Sequence, residues 1–519
     1  MPASPQKASL ATWMAVTAGM VGAFMAILNI QITNASLLDI EGGIGTGVDN
    51  GAWISTSYLI GEIVVIPLTG YLSRVFSFRV HIIASTFFFA VFSMACAFAH
   101  DLGTMIVLRG LQGFAGGVLI PMAVTMVVTK LPKPQQPLGM AMFALSVTFA
   151  PAIGPTIGGY LTENDGWQTI FFINLVPSLL MIVALWATLE REKMQLSLLK
   201  EGDWAGIVTM TIGLSSLQTL LEEGNKDDWF GSPFIVRLAV TAVVFLSLFL
   251  WIELTVKKPL IDLRLLRNRN FAVGTVANDL VGFALFGSVY VLPQYLAQVQ
   301  GYNAEQIGEV LAWTGLPQLV LIPLVPVMMK YVDVRYIGVA GISLFAISCF
   351  MNVTMSADYS GDQFFLPNIV RAIGQALIIT PVSAVTTAGI APKDAGAASG
   401  LSNMMRNLGG AVGTATLGTI LTTREQFHSN IIGQSITLTR DEVRSRLDQM
   451  TSYFMAHGVS DHAAASAKAI VALGAVVRRQ ALIMGFSDAF AVIGVLLAIA
   501  AVSLLLARKP QAAAGGGAH

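Results

Sequence analysis

Five ionisable side chains lie deep in stretches otherwise made of aliphatic and aromatic residues: Glu62 in YLIGEIVVIP, Arg109 in VLRGLQG, Asp279 in VANDLVGFALFG, Arg371 in NIVRAIGQ and Arg406 in NMMRNLGG. A charge at the centre of a bilayer costs about 2.5–3.5 kcal/mol on insertion scales, so such groups are candidates for function before they are candidates for structure. A carboxyl in apolar surroundings is suited to loading a proton on one side of a barrier and releasing it on the other. Glu62, with aliphatic neighbours on both sides, and Asp279, beside Asn278 and Gly282, fit that role. The alternative for each is a static ion pair with an arginine of a neighbouring helix. Arg109 keeps its charge and cannot itself carry the proton. Gln112 is three residues further on and shares its helical face. Arg109 reads either as a group that biases a nearby carboxylate or water, or as a structural arginine bonding backbone carbonyls of the first span. Arg371 and Arg406 either pair with acids or attract an anionic substrate.

The elements that must hold these groups follow from composition. The 519-residue chain is 55% hydrophobic and only 12% charged, where soluble domains carry about 25% charge. It contains about fourteen apolar stretches of bilayer-spanning length. They are expected near 12–36, 51–72, 80–98, 104–128, 139–161, 169–189, 204–222, 233–254, 271–297, 305–328, 336–354, 364–388, 397–421 and 485–507. Only helices or closed barrels satisfy their backbone in lipid, and stretches of this length are helices. The predicted fold class is therefore an all-α polytopic membrane protein.

Alternate joints between the spans differ in charge. One set carries Arg74, Arg79, Lys130, Lys133, Arg191, Lys193, Lys200, Lys257, Lys258, Arg264, Arg267, Arg269, Lys330, Arg335 and Lys393. The other carries Asp39, Glu41, Asp49, Asp101, Glu163, Asp165, Asp227, Asp228, Asp358 and Asp362, with Lys226 as its only base. The basic side is the cytoplasmic one. An even number of spans then places both termini in the cytoplasm, with the protein a multi-pass component of the cell's inner membrane.

A faint repeat relates IVLRGLQGFAGGVLIP, ending at Pro121, to NIVRAIGQALIITP, ending at Pro381. Each places an Arg early in a span, then Gly and Gln, then a Pro about three turns later, and small residues fill the span that follows. Two six-helix halves (residues 1–200 and 259–519) separated by two inserted helices (201–258) account for this, an arrangement that builds alternating-access sites between repeats. In FAPAIGPTIGGYL, Pro151, Gly154, Pro155, Gly158 and Gly159 interrupt the fifth span. The prolines predict a kink. The glycines predict a strip where another helix backbone comes close, suited to a seal between the halves.

These residues carry a resemblance. LRGLQGFAGG (108–117), the 151–161 stretch, LNIQITNASL (28–37) and GYLSRVFSFR (70–79) are similar to the fourth-span, fifth-span, first-span and loop motifs of the major facilitator superfamily, in its fourteen-span drug:proton antiporter branch of the EmrB/QacA type. The likeness runs end to end, including the inserted pair with its DWF (228–230) and the GGGAH tail. It implies the major facilitator fold and export of amphipathic or hydrophobic drugs in exchange for protons, with the proton gradient as energy source and no cofactor. The fifth-span stretch then marks exchange, and Arg109 gates proton release. Three positions in two motifs depart from the pattern: Arg74 and Ser77 stand where the loop usually has an acid and a Gly, and Asn29 stands where the first span usually has an Asp.

A substrate site in such a protein is mostly apolar with a few polar groups. The candidates are Asn29, Gln31, Asn34, Gln112, Tyr290, Gln294, Trp313 and Gln318, among 22 Met and 28 Phe whose flexible and bulky side chains suit a wall that repacks around unlike molecules. From Thr422 to residue 484 the chain is too polar to span and reads as exterior amphipathic helices, with Val443, Leu447, Met450, Tyr453 and Phe454 on one face. That segment is expected to cap the exterior mouth, to dock a periplasmic adaptor protein and through it an outer-membrane channel, or both. The six histidines are scattered, so no metal site is expected, and no nucleotide, zinc-protease or nucleophile motif marks an enzyme or a nucleic-acid partner. An exporter dedicated to one metabolite or to fatty acids would use the same architecture.

Overall fold

The computed structural model describes residues 8–256, 259–390 and 395–509. Lys257, Lys258, Lys393 and the GGGAH tail lie outside them. The described residues form helices and turns without a strand: α1 (Leu10–Ala35), α2 (Leu37–Ile44), α3 (Val48–Phe76), α4 (Phe78–Ala97), α5 (Leu102–Gly116), α6 (Leu119–Lys130), α7 (Gln136–Asp165), α8 (Thr169–Phe172), α9 (Leu175–Thr188), α10 (Trp204–Glu223), α11 (Pro233–Thr255), α12 (Arg269–Gln298), α13 (Ala304–Tyr331), α14 (Val334–Met351), α15 (Gly361–Ala376), α16 (Ile379–Thr386), α17 (Ala395–Ser435), α18 (Asp441–Ala456) and α19 (His462–Leu505).

Each expected span falls on a helix or on a pair of helices in line. By length and composition, 12 runs are able to cross a membrane, and 13 when the two arms of α7, bent by 47° about its proline-rich middle, are taken as one. The stretch expected at 397–421 is the first part of α17, which packs against α3, α12 and α19. The segment 422–484 is not a set of separate surface helices. Its first residues continue α17 as far as Ser435, and its last ones begin α19, so two helices of 41 and 44 residues run unbroken out of the bundle. The short α18 lies against α19. On α18, Val443, Leu447, Met450 and Phe454 are partly covered, whereas Tyr453 is exposed and stacks on His457.

Proline explains where several helices break. A proline in a helix has no N–H for the carbonyl four residues back, and its ring crowds that carbonyl. Pro121, Pro177 and Pro381 each follow by four residues a gap in the helix: between α5 and α6, between α8 and α9, and between α15 and α16. The repeat noted in the sequence is thus a repeat of broken helices, each carrying its arginine on the first arm.

Buried apolar side chains form two large clusters, one drawn mainly from α1–α9 and one from α12–α19. A smaller cluster joins α3 to α10, α11, α12 and α17. Within it, Ile63 and Ile66 of α3 and Leu401 and Met404 of α17 are buried together. This apolar layer lies between a central cavity and a recess of about 1020 Å³ at the opposite end of the molecule, beside Arg74 and Lys130.

The loop after α3 turns through Ser77, whose φ of 67° and ψ of 149° belong to a region occupied almost only by glycine. Its side chain accepts a bond from the Val80 N–H at the start of α4. The loop thus places a serine at a backbone position that favours glycine.

Candidate transport cavity

The central cavity, about 570 Å³, is built where α1 ends and α3 begins, and is closed by α7, α10, α12, α13 and α17. Its size is that of a small-molecule site. Its walls are largely apolar, with Ile30, Leu59, Phe286 and Val289; besides the hydroxyls of Ser55, Thr56 and Thr414, its polar groups are Gln31 and Asn34 from α1, Tyr290 and Gln294 from α12, Gln218 and Glu222 from α10, Glu62 from α3 and Asn407 from α17.

Glu62 is 4% exposed. Asn407 donates its amide to Glu62 Oε1 at 3.0 Å, while Oε2 is buried without a hydrogen-bond partner. The carboxyl therefore stands between α3 and α17, half satisfied. Below it the cavity narrows into a pocket of about 50 Å³ faced by Arg371, Arg406 and Gln375. Neither guanidinium is in salt-bridge contact with a carboxylate among the described residues, and the Nε of each is buried and unpartnered. Arg371 lies over the Phe345 ring at 5.6 Å and Arg406 over Phe143 at 5.7 Å.

Arg109 is fully buried and faces away from this cavity. Its Nη1 donates to Asn29 Oδ1 at 2.6 Å and Gln112 Oε1 at 2.7 Å, its Nε donates to the Ile54 carbonyl at 3.2 Å, and the guanidinium covers the Tyr58 ring at 4.4 Å. The backbone carbonyl it engages belongs to α3, and its contact with α1 runs through Asn29.

Of the eight substrate candidates, Gln31, Asn34, Tyr290 and Gln294 line the cavity. Asn29 and Gln112 are absorbed in the Arg109 cluster. Gln318 is buried behind the narrow pocket, its amide donating to Gln375 Oε1 at 2.9 Å and to the Thr314 carbonyl at 2.5 Å. Trp313 points outward, 43% exposed, with its ring edge-on to Phe365 at 4.9 Å. Asp279 is half-buried on α12 against the α17 backbone at Gly409, outside the cavity. Pro155 is on the cavity wall and Pro151 on the narrow pocket.

Gly154 and Gly158 are in close contact with another helix in this structure, as expected of a small-residue strip. They face α1, where added Cβ atoms would run into Gln31 and Ile32, so the close approach brings together two helices of the same cluster. The face of α7 that carries Thr156 is the one that meets α13, at Gly308.

Sequence reasoning missed Asn407, Gln375, Gln218 and Glu222. Asn407 directly follows Arg406, and Gln375 follows Arg371 by one turn. Gln218 and Glu222 share one face of an inserted helix, and Glu222, the last residue of the expected span 204–222, passed unremarked as a carboxylate at a span end. Among the described residues no group of His, Cys, Asp or Glu is placed to hold a metal ion.

A polytopic helical bundle with a closed-ended, mostly apolar cavity in its centre is the build of a membrane transporter. The family model described as "Major Facilitator Superfamily" matches residues 19–414. The chain belongs to that superfamily. It is 33% identical to the colistin resistance protein EmrB of Acinetobacter baumannii, over 94% of this chain and 95% of that one. It is 29% identical to the fatty acid resistance protein FarB of Neisseria gonorrhoeae, over 99% of both chains. It is 30% identical to the multidrug export protein EmrB of Escherichia coli, over 82% and 83%. The human organic anion transporter MFSD10 shares the fold, with a TM-score of 0.57 at 13% identity over 94% of this chain and 99% of that one. The protein is thus a multi-pass transporter homologous to drug-resistance exporters.

Proposed function

We propose that the protein is a proton-coupled secondary transporter that exports amphipathic or hydrophobic compounds across the inner membrane by alternating access. The observation that carries this reading is Glu62, a buried carboxyl on the cavity wall with one oxygen bonded to Asn407 and the other without a partner. A proton there and a substrate in the cavity share the same space, and mutual exclusion is what exchange requires. The helices at 1–200 and 259–519 act as two six-helix halves about this point, with residues 201–258 as the inserted pair, α17 as the thirteenth span and both termini cytoplasmic. The cavity then opens toward the exterior, and the Ile63, Ile66, Leu401 and Met404 layer closes the cytoplasmic side. Asp279 is the second candidate for proton coupling, and Arg109 is a positioning residue that sets α1 against α3.

The extended ends of α17 and α19, with α18, stand outside the bundle with Ile431, Tyr453, Ile470 and Val471 exposed. They suit docking of a periplasmic adaptor leading to an outer-membrane channel. A second reading, an exporter dedicated to fatty acids or one metabolite, draws support from the two arginines below Glu62, which have no carboxylate in salt-bridge contact among the described residues and whose Nε atoms have no hydrogen-bond partner.

Reconstitution in liposomes under an imposed pH gradient tests the proposal. The parent is expected to move a lipophilic substrate against its gradient, and Glu62→Gln to lose that coupling while still binding the substrate. If Glu62→Gln and Asp279→Asn both exchange at the parental rate, the assignment of the coupling carboxyl fails; if the gradient drives no movement at all, exchange itself fails.

A further inference from the structure

The inserted helices leave a question that the repeat does not answer, since a six-plus-six bundle encloses a cavity without them. Here α10 forms part of the cavity wall. It is keyed to α3 at its last turn, where Thr56 donates its hydroxyl to Glu223 Oε1 at 2.9 Å and Lys226 lies 3.3 Å from Oε2 of the same carboxylate. Glu223 is 1% exposed, so this clamp is internal and fixes the rotation of the helix. The neighbouring side chain, Glu222, is thereby turned onto the cavity, where Gln218 donates to its Oε1 at 3.0 Å.

The charge balance of the chamber is one-sided. Glu222 and Glu62 both line it, and none of the described residues lining it is Lys, Arg or His. The guanidiniums of Arg371 and Arg406 lie in the narrow pocket beyond, whose 50 Å³ admits a water or two but no drug-sized body. Thr56 and Glu62 are six residues apart on α3, which separates the two carboxylate levels by about 9 Å along the helix. One molecule of drug size therefore reaches both. Glu62 lines the same space with its Oε2 buried and unpartnered.

We propose that Glu222, on the inserted helix α10, is a substrate-recognition residue that holds the positive charge of a cationic amphiphile, whose apolar body rests on Leu59, Phe286 and Val289. This deepens the exchange reading and rests on it for the direction of transport. The inserted pair is then a part of the binding site supplied from outside the two halves. A cation and a proton compete for the same negative chamber, which is the sign that exchange needs. An anionic amphiphile would bring its charge against two carboxylates.

The test is equilibrium binding to the full-length protein in detergent, without any gradient. The probes are tetraphenylphosphonium, the neutral triphenylphosphine oxide and the anionic oleate. The parent is expected to prefer the phosphonium over the neutral compound by tenfold or more and to bind oleate most weakly. Glu222→Gln should collapse the preference for the cation about tenfold, Glu222→Asp should keep most of it, and Glu442→Gln on the exposed face of α18 should keep all of it. An unchanged preference in a folded Glu222→Gln protein overturns the proposal, as does a parent that favours oleate. Binding of the phosphonium through Glu222 without movement under a pH gradient would refute exchange and leave the proposal standing. Exchange of protons for neutral compounds with no preference for the cation would refute the proposal alone.

Discussion

Replacing Arg109 by lysine separates a structural clamp from a proton gate. The substitution keeps the charge and loses the fork. The guanidinium reaches Asn29 and Gln112 from one nitrogen, Ile54 from another, and stacks on Tyr58. A single ammonium at the end of a narrower side chain cannot serve all three acceptors and cover the ring. Asn29 is 1% exposed and Gln112 is 0% exposed, so an acceptor left behind finds no water. Stranding one buried acceptor costs about 1–3 kcal/mol. Loss of the stacked cation removes about 1 kcal/mol more. Arg109→Lys is therefore expected to destabilise the protein by about 2–4 kcal/mol, read as an earlier thermal unfolding midpoint in detergent. Arg109→Ala should cost more, and a double-mutant cycle with Asn29→Ala should show a coupling of about 1 kcal/mol or more. Transport should fall in step with the folded fraction. A lysine variant with parental stability and no proton coupling would refute the clamp and make Arg109 part of the proton path.

Three further outcomes follow from local geometry. Ser77→Gly should stabilise the protein by about 1 kcal/mol, because relief of the glycine-only backbone conformation exceeds the small loss of the helix cap; a lower unfolding midpoint would show that the cap dominates. Gly158→Ala places a Cβ 2.9 Å from the Ile32 carbonyl oxygen, a backbone atom that moves only with α1, so a cost of about 1–3 kcal/mol and a shifted Gln31 and Asn34 are expected; parental stability and parental substrate affinity together would show that α1 yields freely. At the start of α14, hydrogen bonding and charge from Arg335 hold the Asp333 carboxyl below the usual carboxylate range. A carboxyl lowered by folding contributes stability above its unfolded pKa and loses it as pH falls through the folded one. Asp333→Asn should flatten stability against pH on the acid side only, and an unchanged acid profile would count against the pair.

The fold was readable because a bilayer makes one demand of every span, about 20 apolar residues in a helix, and each expected span meets a helix. The side chains around Glu62 were less readable, since residues facing the cavity and residues facing lipid obey the same composition. Trp313 and Tyr290 are both aromatic residues within apolar helices, yet one faces outward and the other lines the cavity. Hydropathy has no term that separates them. Glu222 was missed for the opposite reason: at the end of a span a carboxylate is ordinary, and only the clamp at Thr56 reveals that this one is turned inward. The division of 422–484 was misjudged because polar composition rules out a membrane environment and not helical continuity.

That continuity has a mechanical consequence. The part of α19 from His462 to Gly485 is about 36 Å long at 1.5 Å per residue. It is tied at its base to α17, where Arg424 and His428 hold Asp488 at 2.5 and 2.8 Å. Two coupled stiff rods rooted in one bundle act as a lever with its fulcrum in the membrane. A tilt of about 10° at the root, smaller than the about 15° rotations known in switching proteins, sweeps the tip through about 6 Å. The proposed adaptor, seated on that tip, would then sense which way the cavity faces.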